Sequence, residues 1–561
     1  AGAPRAKATG SDYPTAHLVV PGGRLSGEAL WMVALELPER ALEPVVGGAV
    51  PMNVRVCDPI WPDRALADFS FTLPDARPRT LLMEVRKRIL HPGDGLYLTL
   101  DAAGTGMDDD FLRGLRVRVY YVSRRDALPE HVKDRFTQVK DVYAHMVEER
   151  PGDARLRLFR RFRGDIMDLL SADPGHFLAQ CYLYDSLSTC NAQIEGVPKP
   201  PYRQTPLQGG APAWAQRQIE YMGYVKRFLS WWIDVRQIEN GEFGGGLSDD
   251  GDLTSWWPGP ALCGLLREKV TASLRREMGA FLDQGMLTNG LSTIQTDEMH
   301  VFEEGITALG QCLLADGADP QWLELAMENA RAVERISGFN AAGHRHFLSS
   351  YFSGVRLARE APWNGSTGNS YLICHPLFLL ARYNRSPRLI KLIAELADGI
   401  LAHWKDGAMR VDVRFDDDAD APGESDKWVW ALAAAYDLTG EKRYLAPIRD
   451  RVRVCKRPED QIGDEALARR YEALIEAAAL REYLNTEAHL WVDRVVLDIE
   501  QLQIDRLGGV AHQRFEVYPR HYLSWRFERD EDAERVAIVT PEAGPARISL
   551  RAYNLKAESV R

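Results

Sequence analysis

The chain has 561 residues, 45% of them hydrophobic and 27% charged, with a formal net charge of −11. Such a length exceeds one ordinary core and sets an expectation of roughly two to four domains. The acidic balance argues against a nucleic-acid partner, which needs a basic face, and no apolar run approaches membrane-spanning length.

Residues 1–125 read as β. Apolar or alternating runs recur at 29–37, 52–57, 68–73, 80–85, 96–100 and 115–122, separated by turn material such as Pro92-Gly-Asp-Gly. Strands at that spacing predict an antiparallel β-sandwich. From 126 to 484 helical periodicity takes over, in segments near 127–150, 157–171, 174–190, 213–236, 260–283, 294–315, 320–337, 369–384, 387–405, 426–438, 443–455 and 463–483. Asp319-Pro and Ser386-Pro look like helix starts. Tight turns such as Tyr436-Asp-Leu-Thr-Gly-Glu-Lys-Arg-Tyr-Leu alternate with long loops at 239–259, 338–368 and 406–425. Helical hairpins closed by tight turns at one end, with long loops at the other, predict a ring whose site lies at the loop-rich mouth. Residues 485–561 return to short β runs and form a third expected domain, a small antiparallel sheet.

One basic cluster, Arg155 to Arg163, runs against the overall charge; at helical spacing it reads as a partly solvated face or a set of ion-pair donors. The seven cysteines are scattered, odd in number and without a Cys-x-x-Cys, so neither a zinc site nor a disulfide scaffold is indicated. Cys181 and Cys190 read as two buried thiols, a bridge requiring their segment to bend. A chain beginning at Ala1 is expected to be processed or trimmed.

The stretch Glu239 to Asp252 holds Glu239, Glu242, Asp249, Asp250 and Asp252, three consecutive glycines, and then the pair Trp256 and Trp257. Acids beside aromatic rings suit a sugar, whose hydroxyls bond the carboxylates while its face stacks on a ring. A second stretch, Thr296-Asp-Glu-Met-His-Val-Phe-Glu-Glu-Gly, is expected to start a helix capped by Thr296. Asp297, His300 and Glu304 would then share a face, with Glu303 beside them. In a third, Gly343-His-Arg-His-Phe-Leu-Ser-Ser-Tyr, His344 and His346 would point to one side of an extended segment, with Arg345 and Tyr351 near. A fourth, from Trp363 to His375, offers Trp363, Asn369, Tyr371 and His375; Asn369 or Ser370 as a helix cap, and His375 as a core residue, are the alternatives. The acid-dense segment from Asp412 to Trp428 lacks EF-hand spacing. A solvated turn with incidental calcium is expected there, with Glu424 and Trp428 as cleft contacts.

A β domain, a ring of helical hairpins and a closing β domain resemble the toroid carbohydrate-active enzymes, both six-hairpin glycosidases and toroid polysaccharide lyases. The acidic Gly-rich loop, the Tyr436-to-Leu445 turn and the acid- and aromatic-rich loops at helix starts carry the resemblance. It implies a mainly α, (α/α) toroid at 126–484 flanked by β-sandwich and β-sheet domains at 1–125 and 485–561. It also implies a soluble, secreted or periplasmic enzyme acting on a poly- or oligosaccharide, without cofactor, metal, nucleic acid or membrane, and compatible with a homodimer.

Two mechanisms fit the inventory. Glycoside hydrolysis needs an acid for the leaving oxygen and a second carboxylate. Asp249, Asp250 or Asp252 paired with Glu303 or Glu304 would supply them, with Asp250 and Glu304 as the leading pair. β-Elimination from a uronate needs a base, an acid and a group that neutralises the carboxylate. Tyr351, His344 or His346, Asn369 and Arg345 would fill those roles as Tyr, His, Asn and Arg do in the toroid lyases. The crowding of carboxylates favours hydrolysis of a uronate-bearing, glucuronidase-type substrate. Glu242, Asp249, Trp257, His300, His344, Arg345, Trp363, Asn369, Tyr371 and His375 would line the cleft. A non-catalytic carbohydrate-binding protein is the third reading.

Overall fold

Alternation of apolar residues builds the first part of the chain. Val50, Met52, Val54 and Val56 face inward from strand Val50–Cys57, and Leu96, Leu98, Leu100 and Ala102 from strand Leu96–Ala102. In a computed structural model of the protein these strands join an antiparallel sheet of order Thr15–Val20, Leu96–Ala102, Val50–Cys57, Ala65–Leu73. A second antiparallel sheet has Ala29–Leu37 between Arg79–Ile89 and Arg116–Val122, with a register shift between Leu30 and Met32. Leu30, Val33, Leu35, Met83 and Val85 of this sheet share one apolar cluster with Val54, Val56, Leu98 and Leu100 of the first. Strand Thr15–Val20 escaped the sequence reading because only Ala16 in it is fully buried, so no clean alternation shows.

The structure describes residues 15–21, 28–39, 42–44, 49–91, 93–149, 151–189, 196–255, 257–262, 265–317, 319–423, 425, 427–448, 464–487, 527–529 and 534–536. The chain divides into two compact units, Ala1–Pro200 and Pro201–Arg561. Helices Arg124–Glu148, Asp153–Ala172 and Phe177–Thr189 therefore belong with the N-terminal sheets, and not with the later helices as a boundary at 125 would have it.

Charge is the reason. Arg135, on the first of these helices and 1% exposed, donates to Asp58 (2.9 Å), to Asp165 (2.9 Å) and to Asp168. Arg88, from strand Arg79–Ile89, bonds Asp134 and lies 3.5 Å from Asp58. Arg64 grips Asp165 through two bonds of 3.0 Å. Burial works against ionisation of Asp58, but the Arg135 and Arg88 guanidiniums outweigh it and hold its pKa below the ordinary carboxylate value. The basic cluster on Asp153–Ala172 is a solvated face: Arg157, Arg160 and Arg163 are exposed, and Arg161 lies over the Trp61 ring, 3.4 Å from Asp63.

Helices dominate the second unit: Ala213–Trp231, Arg267–Asp283, Thr307–Ala315, Pro320–Ile336, His375–Asn384, Pro387–Ala402, Trp428–Thr439 and Asp464–Glu487. Asp319 caps its helix by accepting from the Gln321 amide at 2.9 Å, whereas Ser386 makes no side-chain cap bond. Gly440, at φ +74°, ends Trp428–Thr439 in the left-handed conformation that glycine tolerates. The first and last of these helices pack together: Gln218 donates to the Tyr471 hydroxyl (2.6 Å), Arg217 pairs with Glu472 (3.3 Å), and Trp214 and Ala215 cluster with Ala468.

The expected C-terminal sheet at 485–561 falls outside the described residues apart from the antiparallel pair Phe527–Arg529 and Glu534–Val536. Among the described residues no helix is long and apolar enough to cross a membrane. Cys181 is a buried free thiol, and Cys190 lies outside the described residues.

Removing one partner from a buried ionic network strands the others. Arg135→Ala is expected to destabilise the full chain by about 3–5 kcal/mol in urea denaturation, whereas Arg160→Ala on the solvated face leaves the midpoint in place.

Candidate functional site

The acidic Gly-rich stretch is not an open loop. It forms a turn followed by the short helix Leu247–Thr254. Asp250 organises it from inside: its carboxylate accepts from the Phe243 amide (2.7 Å), from Gly245 (3.0 Å) and from Gly244. With no exposed surface, Asp250 is not placed to meet a substrate, which corrects its expected catalytic role. Burial, eased by those three amides, pushes its pKa up to about 6. Trp257 is also fully buried, edge-on to Phe243 at 5.2 Å, and so is no sugar platform. Glu242 ties the turn down by accepting from Asn240 (2.8 Å) and Gln284 (2.7 Å). Asp249 is left exposed on the outer face.

Asp297, not Thr296, caps the second segment, accepting from the amides of Met299 (3.0 Å) and His300 (3.2 Å). The chain then kinks within Phe302–Ile306, where Glu304 has ψ +38° and Gly305 the left-handed φ of +111° that glycine tolerates. A Cβ on Gly305 would meet Leu287 and Phe281 at 3.2 Å. Glu304 is half-buried and hydrogen-bonded to Ser248, and its Oε2 is enclosed with no hydrogen-bond partner among the described residues. Burial raises its pKa, Ser248 and His300 ease the shift, and the nearby Asp249 charge adds to it. His300 is exposed, bonded to Asp297 at 2.6 Å, and that bond raises its pKa.

Asp297 pairs with Tyr351 in a two-residue ladder, and the Tyr351 ring lies 4.8 Å from that of Trp363, which is 38% exposed. Buried Glu298 accepts from Thr367 and Ser370. Thr367 caps the turn Gly368–Cys374 in a reciprocal box with Ser370, so neither Asn369 nor Ser370 is itself the cap, and Asn369 stays half-buried at its start. Three loops distant in sequence are thereby linked: Ser248 and Asp249, Asp297 to Glu304, and Tyr351 to Asn369.

Other expected cleft residues lie elsewhere. Tyr371 is buried against Phe347 and bonded to Ser366, and His375 is fully buried with its ring against Gly310. Arg345 is held by Glu395 (3.0 Å), Ser337 (3.1 Å) and the Glu334 carbonyl (3.2 Å), which leaves it engaged away from any uronate. Trp428 is buried and Glu424 lies outside the described residues. His344 and His346 join His403 and Asp418 in a tight group. His346 is 0% exposed and held neutral by burial, its pKa near 4, so it does not serve as a solvent-facing acid or base. In the acid-dense segment Asp416 bonds Asn364 (2.9 Å) and Asp417 bonds Arg414 (3.0 Å). His403 and Ser248 were missed: a single histidine ending a helical run and a serine among acids carry no local signal.

The chain matches no protein-family model and no curated protein.

Two outcomes test the role given to Asp250. Asp250→Ala removes the buried acceptor of three backbone amides and is expected to cost about 1–3 kcal/mol by urea denaturation. Between the ordinary pKa of 3.8 and the folded value of about 6, the folded chain keeps a proton that the unfolded chain has lost. Stability therefore falls as pH rises across that window, and Asp250→Asn flattens the slope in thermal melts.

Proposed function

We propose that the chain is a glycoside hydrolase, with Glu304 as the general acid, Asp249 as the second carboxylate, and Tyr351 with Trp363 as the sugar platform. The observation that carries the reading is Glu304 itself: a half-buried carboxyl at a kink in the chain, beside Asp249, with one enclosed oxygen that has no hydrogen-bond partner among the described residues. A carboxyl whose pKa is raised keeps its proton where an exposed neighbour has lost one, which is the division of labour glycoside hydrolysis needs. Asp249 is preferred to Asp250 because it is exposed. Trp363 and Tyr351 present two rings 4.8 Å apart and tilted by 33°, with Tyr351 paired to Asp297, as a platform for a sugar face.

An (α/α) toroid is the proposed architecture of the second unit. The packing of its first long helix on its last, through Gln218–Tyr471 and Arg217–Glu472, supports a closed ring of hairpins. A β-sandwich is the matching proposal for the N-terminal sheets, whose inner faces share a cluster. The elimination reading loses its histidines and Arg345 to other partners, and the case for an anionic sugar narrows to His300 and the exposed Arg356. The substrate class proposed is accordingly a poly- or oligosaccharide, uronate-bearing or neutral.

The full chain incubated with a panel of uronate-bearing and neutral glycans is expected to release reducing ends without the ultraviolet absorbance of an unsaturated uronate. Both signals rising together would make it a lyase, and silence across the panel would sink the enzyme reading. Glu304→Gln and Asp249→Asn are each expected to lower kcat by about 10²–10⁴-fold with the thermal midpoint retained. In the wild type kcat/KM declines as pH rises through the elevated Glu304 pKa, and Glu304→Gln removes that limb. Trp363→Ala is expected to raise KM more than it lowers kcat.

A further inference from the structure

His344, His346, His403 and Asp418 each direct one ligand-type atom at a common point, all four atoms lying within 4.8 Å of one another. His346 Nε2 and His403 Nε2 are 3.2 Å apart. Asp418 Oδ1 is 3.4 Å from His403 Nε2, 3.8 Å from His346 Nε2 and 3.2 Å from His344 Nδ1. Ligands on a tetrahedral ion with bonds of about 2.0–2.1 Å stand about 3.3 Å from each other, which these separations bracket. Hydrogen bonds account for two pairs, His346 with His403 and His344 with Asp418. They do not account for the two pairs meeting at one place from separate segments.

The surroundings are built to the same end. His403 Nδ1 donates to Asp420 (2.8 Å), which leaves its Nε2 lone pair facing the group, and Asp420 is in turn held by Lys405 and Arg410. Asn340 donates to Asp418 while its own oxygen accepts from the amides of Ala342 (3.1 Å) and His344 (3.0 Å). Asp418 sits at φ +57°, a left-handed conformation that aspartate adopts more readily than most side chains. His346 Nδ1 has no such outer partner among the described residues, and on that side the ring is held by burial. A carboxylate behind a histidine, fixing its tautomer, is the usual outer support of a metal ligand.

We infer that His344, His346, His403 and Asp418 form a structural zinc site. Three nitrogens and one carboxylate oxygen suit a tetrahedral zinc ion, and four protein ligands close the coordination sphere, as in structural rather than catalytic sites. The ion would staple the hairpin Ser337–Phe347, the end of helix Pro387–Ala402 and the turn after Asp412–Arg414. That turn also holds the Trp363 loop: the Phe415 amide donates to the Asn364 carbonyl at 2.9 Å, and Gly365 pairs with Arg414. The inference rests on this geometry and not on the hydrolase reading.

Metal analysis of the full chain, purified without chelator and then equilibrated with zinc, is expected to give about one zinc per chain. Chelator lowers the thermal midpoint, and zinc, but not magnesium, restores it. Cobalt added to the stripped chain gives the intense visible bands of four-coordinate cobalt. His403→Ala combined with Asp418→Ala abolishes zinc retention, and Asp420→Asn weakens zinc affinity about 10–100-fold, while Glu304→Gln retains the metal. Should the double variant fail to fold, the cobalt spectrum and chelator melt of the wild type decide. Zinc content near zero after equilibration, an unshifted melt with chelator, or only the weak bands of six-coordinate cobalt overturns the inference.

Discussion

The candidate cleft depends on a buried polar column made of Asp250, Thr254, Glu277 and Gln311. Glu277 has no exposed surface, and burial together with the Asp250 charge drives its pKa well above the ordinary carboxyl value. The Thr254 hydroxyl lies 2.9 Å from both Glu277 Oε1 and Gln311 Oε1 but has only one proton to give. A protonated Glu277 resolves the conflict by donating to Thr254, which then donates to Gln311. Gln311 also donates to the Gly251 carbonyl at 2.9 Å. Helix Leu247–Thr254 is thus bolted to Arg267–Asp283 and Thr307–Ala315. Gly251, where a Cβ would come within 3.1 Å of Thr307, allows the close approach that puts Ser248 against Glu304.

The same device recurs with different chemistry. In the first unit Arg135 holds Asp58, Asp165 and Asp168 with almost no exposure, and so unites helices and strands that apolar patterning alone would separate. In the second, three histidines and an aspartate do the equivalent for three loops. Long connections with few apolar residues cannot be held by hydrophobic burial. Each is held instead by a directional polar cluster, whose members are costly to leave unpaired.

Local rules reached a good deal of this. The strand runs at 29–37, 52–57 and 96–100 and the helical runs at 320–337 and 387–405 sit within a few residues of the observed elements, because period-2 and period-3.6 burial leave marks on any window of sequence. Thr15–Val20 left no such mark, and neither did helix Leu247–Thr254, whose acids and glycines look like a loop until Asp250 turns inward. Among the candidate site residues, Asp249, His300, Glu304, Tyr351 and Trp363 stand out in the sequence by the residue types gathered in their loops. His403 was not, since its partners stand 57, 59 and 15 positions away in the chain.

By itself, then, the sequence marked the longer, strongly periodic strands and helices and the loops that concentrate acids, histidines and aromatic rings. Those properties depend on neighbours a few positions apart. Whether an acid faces a cleft or caps its own turn was decided only by the tertiary structure. Asp249 and Asp250 are adjacent and chemically identical, yet one is exposed and the other sealed beneath three amides. Likewise His344 and His346 acquired their role only when His403 and Asp418 arrived beside them. Ligation and proton affinity are set by what comes within a few ångströms in space, and chain order does not record that.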